Sequence, residues 1–377
     1  MKKPVKPRPD PLAAKGAPVF VPPYYPSWVD RLTQRIDRFP GPAWAFYLVT
    51  GLLAYLLISM VQWSAGTYPV GTFSRVHAVG AFLTPYALGL MHYLDESASA
   101  SMKAFRPALR ADESYPSLAY ILTTLPPRAA WWSGIASVAV GLGLVLTAIV
   151  LLPHPASQAG GLAPLTVGFA HIFEVSPTPL SYAVTLALLV VNWFVGGALI
   201  LHTVRRLTLV ARLYRRHTNV DVFRQGPLYA LSRLTAQTTI GAAVVLYGIA
   251  SVPTYTEQLP GQVMVAAIAL LAAASFASPL LGVHRVLATE RDRLMEGISD
   301  RLRVAGDELH RRIDQRQYKG MDELHKAVAA LEIERNMIAA MPTWPWQPDT
   351  FRWVLAAMIL PVVIWVVQLL LERALTP

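Results

Sequence analysis

Seven apolar segments, each about twenty residues long, are the feature that most limits what this chain can fold into. They occupy residues 43–63, 77–94, 130–152, 180–202, 236–253, 261–283 and 351–371. A helix that rises about 1.5 Å per residue needs roughly 20 apolar residues to cross a hydrocarbon layer about 30 Å thick. The sequence therefore predicts an all-α, polytopic membrane protein with seven transmembrane helices.

The composition of the chain agrees with this number of spans. Of its 377 residues 54% are hydrophobic and 15% are charged, whereas soluble domains carry about 25% charged residues. The chain has no cysteine, which excludes disulfides, thiolate nucleophiles and iron–sulfur clusters. Pro-rich polar sequence precedes the first span, so we expect that span to act as an uncleaved signal anchor.

The basic residues fix the expected orientation. Lys and Arg number 8 before the first span and then 1, 4, 0, 7, 0 and 11 in the successive loops. Because cytoplasmic loops retain Lys and Arg, this alternation predicts a multi-pass plasma (inner) membrane protein with a cytoplasmic N-terminus and an external C-terminus. The formal charge of +10 is then expected to face anionic lipid headgroups, and nucleic acid is not an expected partner.

The N-terminal region divides into two segments before the six-span bundle at 43–283. Residues 1–26 are rich in Pro and Lys and are expected to be a disordered cytoplasmic tail. Residues 27–39 predict a short amphipathic helix with Trp28 and Ile36 on its apolar face and Asp30 on its polar face. This helix is expected either to lie at the membrane interface or to pack on the protein's own cytoplasmic part.

Five arginines follow the fourth span at helical spacing, which predicts that this helix continues into the cytoplasm with a basic face. They are Arg205, Arg206, Arg212, Arg215 and Arg216. Contact with lipid headgroups is one interpretation, and a solvated positive flank is the other.

The stretch 284–350 predicts a cytoplasmic helical hairpin that ends in a Pro/Trp hinge. Its apolar stripes include four leucines, Leu302, Leu309, Leu324 and Leu331. Two antiparallel helices would bury these stripes against each other or against neighbouring copies, so we expect a homo-oligomer or a docking surface for a cytoplasmic partner.

Three prolines mark the expected mechanical elements of the last span. Pro345 and Pro348 interrupt the connector, and Pro361 lies within the seventh span, which continues into the short outer tail of the segment 351–377. Proline removes a backbone donor and prevents a straight continuous helix. The three positions are therefore candidate hinges.

Few polar residues lie inside the predicted spans, and no Asp, Glu, Lys or Arg lies near the middle of any span. Thr185, Asn192 and Gly196 share one face of the fourth helix, which would be either a pore face or a packing face. Ser133, Ser137 and Gly141 repeat every four residues on the third span, which favours close helix contact. His77 and His92 have no carboxylate at helical spacing within their span, so no proton relay is expected.

Catalytic signatures are missing from the sequence, which contains no phosphate-binding loop, dinucleotide fingerprint, nucleophile elbow or paired-histidine zinc helix. We therefore expect no enzyme activity, no cofactor and no metal site. Two function hypotheses remain. The first is an oligomeric channel or passive pore, and the second is a non-conducting sensor or scaffold that docks a partner through the 284–350 hairpin.

The layout is similar to that of insect odorant-receptor channels in its number of spans, its orientation and its cytoplasmic anchor before the last helix. The similarity is one of topology, and it assigns no site residue in this sequence.

Overall fold

The computed structural model describes residues 20–111, 114–151, 178–218, 226–252 and 259–344, with positions 352, 356 and 363. For residues 144, 147–151, 249–250, 259–280 and 283 the description is limited to the backbone. Over these residues the chain is helical and contains no strand, which confirms the all-α prediction for this part. The helices are α1 (Trp28–Ile36), α2 (Ala43–Ser64), α3 (Arg75–Phe105), α4 (Tyr115–Thr123), α5 (Pro127–Leu151), α6 (Pro179–Arg216), α7 (Gly226–Ala250), α8 (Leu259–Asp314) and α9 (Met321–Ala339).

Several helices extend well beyond the apolar segments that predicted them. Helix α3 continues the second segment to Phe105, and α6 continues the fourth to Arg216. The sixth segment and the first helix of the hairpin form one helix of 56 residues, which corresponds to about 84 Å. By length and composition, α2 and α6 are suited to cross a membrane. The seven-span topology goes further than this finding and stays a prediction.

Helix α3 lies at the centre of the bundle and packs against α2, α6 and α7. Helix α5 packs along α6, and α8 contacts α6 and α7 before it pairs with α9. The main apolar core joins the C-terminal part of α3 to the C-terminal part of α6, the N-terminal part of α7 and the middle of α8. Its fully buried members include Leu94, Met102, Phe105, Leu231 and Leu287.

Helix α1 packs against α3 and α6, at residues that belong to the predicted second and fourth spans. Val29 is buried in a cluster with Met91 and Ala198, and Ile36 is buried as well. The assignment of Asp30 to an exposed polar face is wrong, because this carboxylate is 4% exposed and caps its own helix. Its Oδ2 accepts a hydrogen bond from the Ser27 backbone N–H at 2.7 Å.

Helices α8 and α9 pair as a hairpin through a turn in which Gly320 adopts a positive φ of 80°. Ile298 and Ile338 are buried near the base of this hairpin. The leucines predicted to hold it together, Leu302, Leu309, Leu324 and Leu331, are half-buried. Their role in assembly between copies stays a prediction.

Candidate functional site

A buried ion-pair cluster links α3 to α6. His202 and Arg206 lie one turn apart on α6, so their side chains leave the helix on the same side and meet Asp95 of α3. The Asp95 Oδ1 atom is 3.0 Å from His202 Nε2 and also accepts a hydrogen bond from Arg206 Nη2. His202 and Arg206 are 3% and 2% exposed. Three polar groups thus leave water together and depend on one another for hydrogen bonds.

The cluster determines the charge state of Asp95. Burial raises the pKa of this carboxyl, but the attraction of His202 and Arg206 and their hydrogen bonds outweigh burial, so the pKa lies below its ordinary value. Asp95 is therefore ionised at neutral pH and balances the charge of Arg206.

The five arginines of α6 do not share one environment. Arg206 is buried and paired, which corrects its assignment to a lipid-facing surface, because a buried guanidinium requires a carboxylate partner. Arg205 is half-buried and donates from Nη2 to the Tyr24 hydroxyl at 2.7 Å. Arg212, Arg215 and Arg216 are exposed, and their contact with lipid headgroups stays a prediction.

Tyr24, which precedes α1, and Asp30, in the first turn of α1, make polar contacts close to the ion-pair cluster. Tyr24 donates to the Thr124 carbonyl at 3.1 Å, and Asp30 accepts from the Leu125 backbone N–H at 3.2 Å. Burial raises the pKa of Asp30, although the hydrogen bond from the Ser27 backbone counteracts the shift. These contacts attach the N-terminal segment to the loop between α4 and α5.

A second polar cluster surrounds His92, one turn before Glu96 on α3. The His92 side chain is 6% exposed, and its Nε2 is 2.9 Å from Asp37 Oδ1 and 3.8 Å from Glu96 Oε1. The other ring nitrogen, Nδ1, is 3.1 Å from the hydroxyl of Tyr47 on α2. The three side chains that could ligate a metal, Asp37, His92 and Glu96, come from the C-cap of α1 and from α3.

This His92 cluster lies at one end of a groove of about 780 Å³ along α3, between α2 and α7. Apolar side chains such as Leu48, Phe82, Ile240 and Val244 line most of the groove. His92, Tyr93, Glu96 and Gln237 line its polar end. Such a volume with an apolar wall and a few polar groups is typical of a site for a small amphipathic molecule.

Two residues of the predicted face of Thr185, Asn192 and Gly196 make polar contacts within the protein, namely Thr185 and Asn192. The Asn192 Oδ1 accepts from the Thr84 hydroxyl at 2.5 Å, and its Nδ2 donates to the Gly80 carbonyl at 2.8 Å. Thr185 is buried and donates to a carbonyl of its own helix. Of the two alternatives, these contacts favour a packing face.

Of the two adjacent glycines on α6, Gly197 and not Gly196 lies close against α5. A Cβ built on Gly197 would lie 2.3 Å from the Ser133 carbonyl oxygen and 2.7 Å from Ser137 Cβ. A Cβ on Gly196 would meet no atom within 4 Å. The small residues of the third span therefore do allow close helix contact, as their spacing predicted. The candidate hinges Pro345, Pro348 and Pro361 lie outside the described residues.

Sequence reasoning missed Asp95, Asp37, Glu96 and Tyr47 as partners of buried histidines. One signal is present in the sequence: Glu96 follows His92 by four residues, although it lies just beyond the apolar segment 77–94. The approach of Asp37 and Tyr47 has no local signal, because it depends on how α1 and α2 pack against α3.

Comparisons with protein-family models, with curated proteins and with solved structures find no match to this chain.

Proposed function

We propose that this chain is a seven-span membrane protein that binds a lipid-like molecule in the groove along α3 and acts as a non-conducting sensor or scaffold. The observation that carries the proposal is the groove itself, whose long apolar wall ends in hydrogen-bonding side chains. An acyl chain matches the apolar wall, and a headgroup matches the polar end.

The surface of the helices supports membrane insertion. Leu53, Leu57 and Met60 of α2 are 59–62% exposed, and Ile200 of α6 is 64% exposed. Trp132 of α5 is 68% exposed. Large apolar side chains that face outwards on several helices are unfavourable in water and favourable in lipid. Together with the alternating basic loops, they support the multi-pass, N-terminus-inside topology in the inner membrane.

The path of the helices suits a sensor. The groove is formed in part by α7, and α7 packs against α8, which continues without a break into the cytoplasmic hairpin. A molecule in the groove that prefers one packing of α7 on α8 would change the population of hairpin positions. The hairpin is then the element that docks a cytoplasmic partner or a second copy of the chain.

The channel hypothesis has less support among the described contacts. A pore needs a face that borders water, whereas Thr185 and Asn192 use their polar atoms in bonds within the bundle. The seventh span, apart from residues 352, 356 and 363, lies outside the described residues.

Topology is tested by cysteine labelling of this Cys-free chain. We expect cysteines at Ser157 and Thr256 to react with an impermeant thiol reagent from outside intact cells, because both lie in loops without Lys or Arg. A cysteine at the exposed Gln315 should react only after the membrane is opened. Labelling of this Gln315→Cys variant in intact cells would contradict the proposed orientation.

Lipid binding is tested by filling the groove. We expect wild-type protein, purified in mild detergent, to retain about one lipid per chain by native mass spectrometry, and Val244→Trp to reduce this occupancy at least fivefold. The larger ring system occupies the space that the acyl chain needs, because Val244 lines the groove.

The matched control is Val204→Trp. Val204 is exposed on α6 and lies away from the groove, so this variant should retain lipid as the wild type does. Equal lipid occupancy in the Val244→Trp and Val204→Trp variants would rule out the groove as the binding site.

A further inference from the structure

The three ligating side chains at the polar end of the groove are positioned for a metal ion. Asp37 ends α1, and His92 and Glu96 are one turn apart on α3. One ligating atom from each side chain lies within 4.8 Å of the other two. Imidazole together with two carboxylates suits a divalent transition metal such as Zn²⁺ better than Mg²⁺ or Ca²⁺, which prefer oxygen ligands alone.

The distances fit a tetrahedral ion after a small adjustment. Ligands about 2.0 Å from a tetrahedral zinc ion are roughly 3.3 Å apart. The two distances from His92 Nε2, 2.9 Å to Asp37 and 3.8 Å to Glu96, lie on either side of this value. The side chains of Asp37 and Glu96 are 51% and 70% exposed, so both carboxylates have room to move their oxygen atoms by a few tenths of an ångström.

The surroundings of His92 are those of a metal-ligating histidine. Metal-bound imidazole almost always uses its other ring nitrogen in a hydrogen bond that fixes the ring and its tautomer. Here the Tyr47 hydroxyl is 3.1 Å from Nδ1, and Tyr47 is itself 8% exposed. In the tautomer in which Nδ1 donates to Tyr47, the lone pair of Nε2 faces the carboxylates of Asp37 and Glu96, and a bound cation would offset the repulsion between these groups.

We propose that Asp37, His92 and Glu96 bind one Zn²⁺ ion, and that the open coordination position of this ion takes the phosphate headgroup of the lipid in the groove. The metal site stands on its own geometry, whereas the headgroup assignment rests on the proposed function. His92 and Glu96 line the groove, so an ion held by them would face its polar end. A phosphate oxygen is a hard anionic ligand that can complete three protein ligands.

The metal site is tested with full-length protein in nanodiscs, stripped of metal by a chelator and titrated with Zn²⁺ in a calorimeter. We expect one ion per chain, and at least tenfold weaker binding in Asp37→Asn and in Glu96→Gln. Both side chains are exposed, so neither change should prevent folding. Asp322→Asn, which changes another exposed carboxylate, on α9, should bind Zn²⁺ as the wild type does.

Tyr47→Phe adds a test of the histidine's orientation. Loss of a hydrogen bond to a metal-bound imidazole commonly weakens metal affinity about 10- to 100-fold, and we expect a value in this range. Absence of Zn²⁺ binding, or unchanged affinity in both carboxylate variants, would overturn the metal site.

The headgroup is tested by comparing retention of phosphatidic acid with retention of diacylglycerol, which lacks the phosphate. Removal of zinc should reduce retention of phosphatidic acid at least fivefold and leave retention of diacylglycerol unchanged. Zinc binding without this difference would overturn the headgroup assignment and leave the lipid groove intact. Failure to retain any lipid would overturn the proposed function, and the calorimetric result would still decide the metal site.

Discussion

Asp95→Ala is expected to lower the free energy of unfolding by about 3 kcal/mol, because it leaves the buried guanidinium of Arg206 without its carboxylate. His202 loses the same partner. The value lies towards the lower end of the range for broken buried ion pairs, since the Asp95 side chain is 17% exposed and water can reach its edge. The change is measured as the unfolding midpoint in nanodiscs.

The control for Asp95 is an ion pair on the surface of the hairpin. Asp322 lies 2.6 Å from Lys326, and both side chains are more than 70% exposed. Asp322→Ala should therefore change stability by less than about 0.5 kcal/mol. The pair Asp95→Leu with Arg206→Met should recover much of the loss, because apolar residues of similar volume need no charge partner.

Acid should destabilise the wild-type protein, as the Asp95→Ala substitution does. The pKa of Asp95 is lower in the folded state than in the unfolded state. Its contribution to the free energy of unfolding is therefore complete above the ordinary Asp pKa of about 4, and this contribution is lost as the pH falls through the lowered pKa. If Asp95→Ala and Asp322→Ala were equally mild, the ion pair would not be a structural element of the bundle.

Gly197→Ala is expected to cost about 1–3 kcal/mol, whereas Gly196→Ala should be neutral or slightly stabilising. A Cβ at position 197 would lie 2.3 Å from a backbone oxygen of α5, and α5 cannot yield by rotating a side chain. At position 196 the added methyl meets nothing within 4 Å and improves helix propensity.

The two glycine variants are compared by their unfolding midpoints in the same lipid. Both variants add one methyl group, at adjacent positions of the same helix, so their composition and insertion energy are matched. A similar midpoint for both variants would contradict the close contact between α5 and α6. A larger loss in Gly196→Ala would show that the predicted face, and not its neighbour, contacts α5.

Position 197 illustrates how far helical periodicity can be used. The spacing of Thr185, Asn192 and Gly196 identified a polar and small face, and Asn192 does lie in a contact between helices. Successive residues of a helix lie about 100° apart around its axis, so two adjacent glycines can border the same broad face. Periodicity alone could not show which of the two contacts α5. The distinction came from the position of Ser133 on another helix.

Arg206 shows the same limit for charge. A run of arginines after an apolar segment indicates a cytoplasmic flank, and Arg212, Arg215 and Arg216 are exposed there. No local pattern separates Arg206 from its neighbours, since its burial depends on a carboxylate more than a hundred residues earlier in the chain.

The sequence by itself determined that the described chain is helical and approximately where its helices lie, because both follow from hydrophobic periodicity and length, which are local properties. Tertiary structure alone decided which carboxylates pair with the buried Arg206 and His92, namely Asp95 and Asp37. It also decided that α2, α3 and α7 enclose a groove. Pairing and cavity formation depend on contacts between distant segments, and one sequence contains no record of those distances.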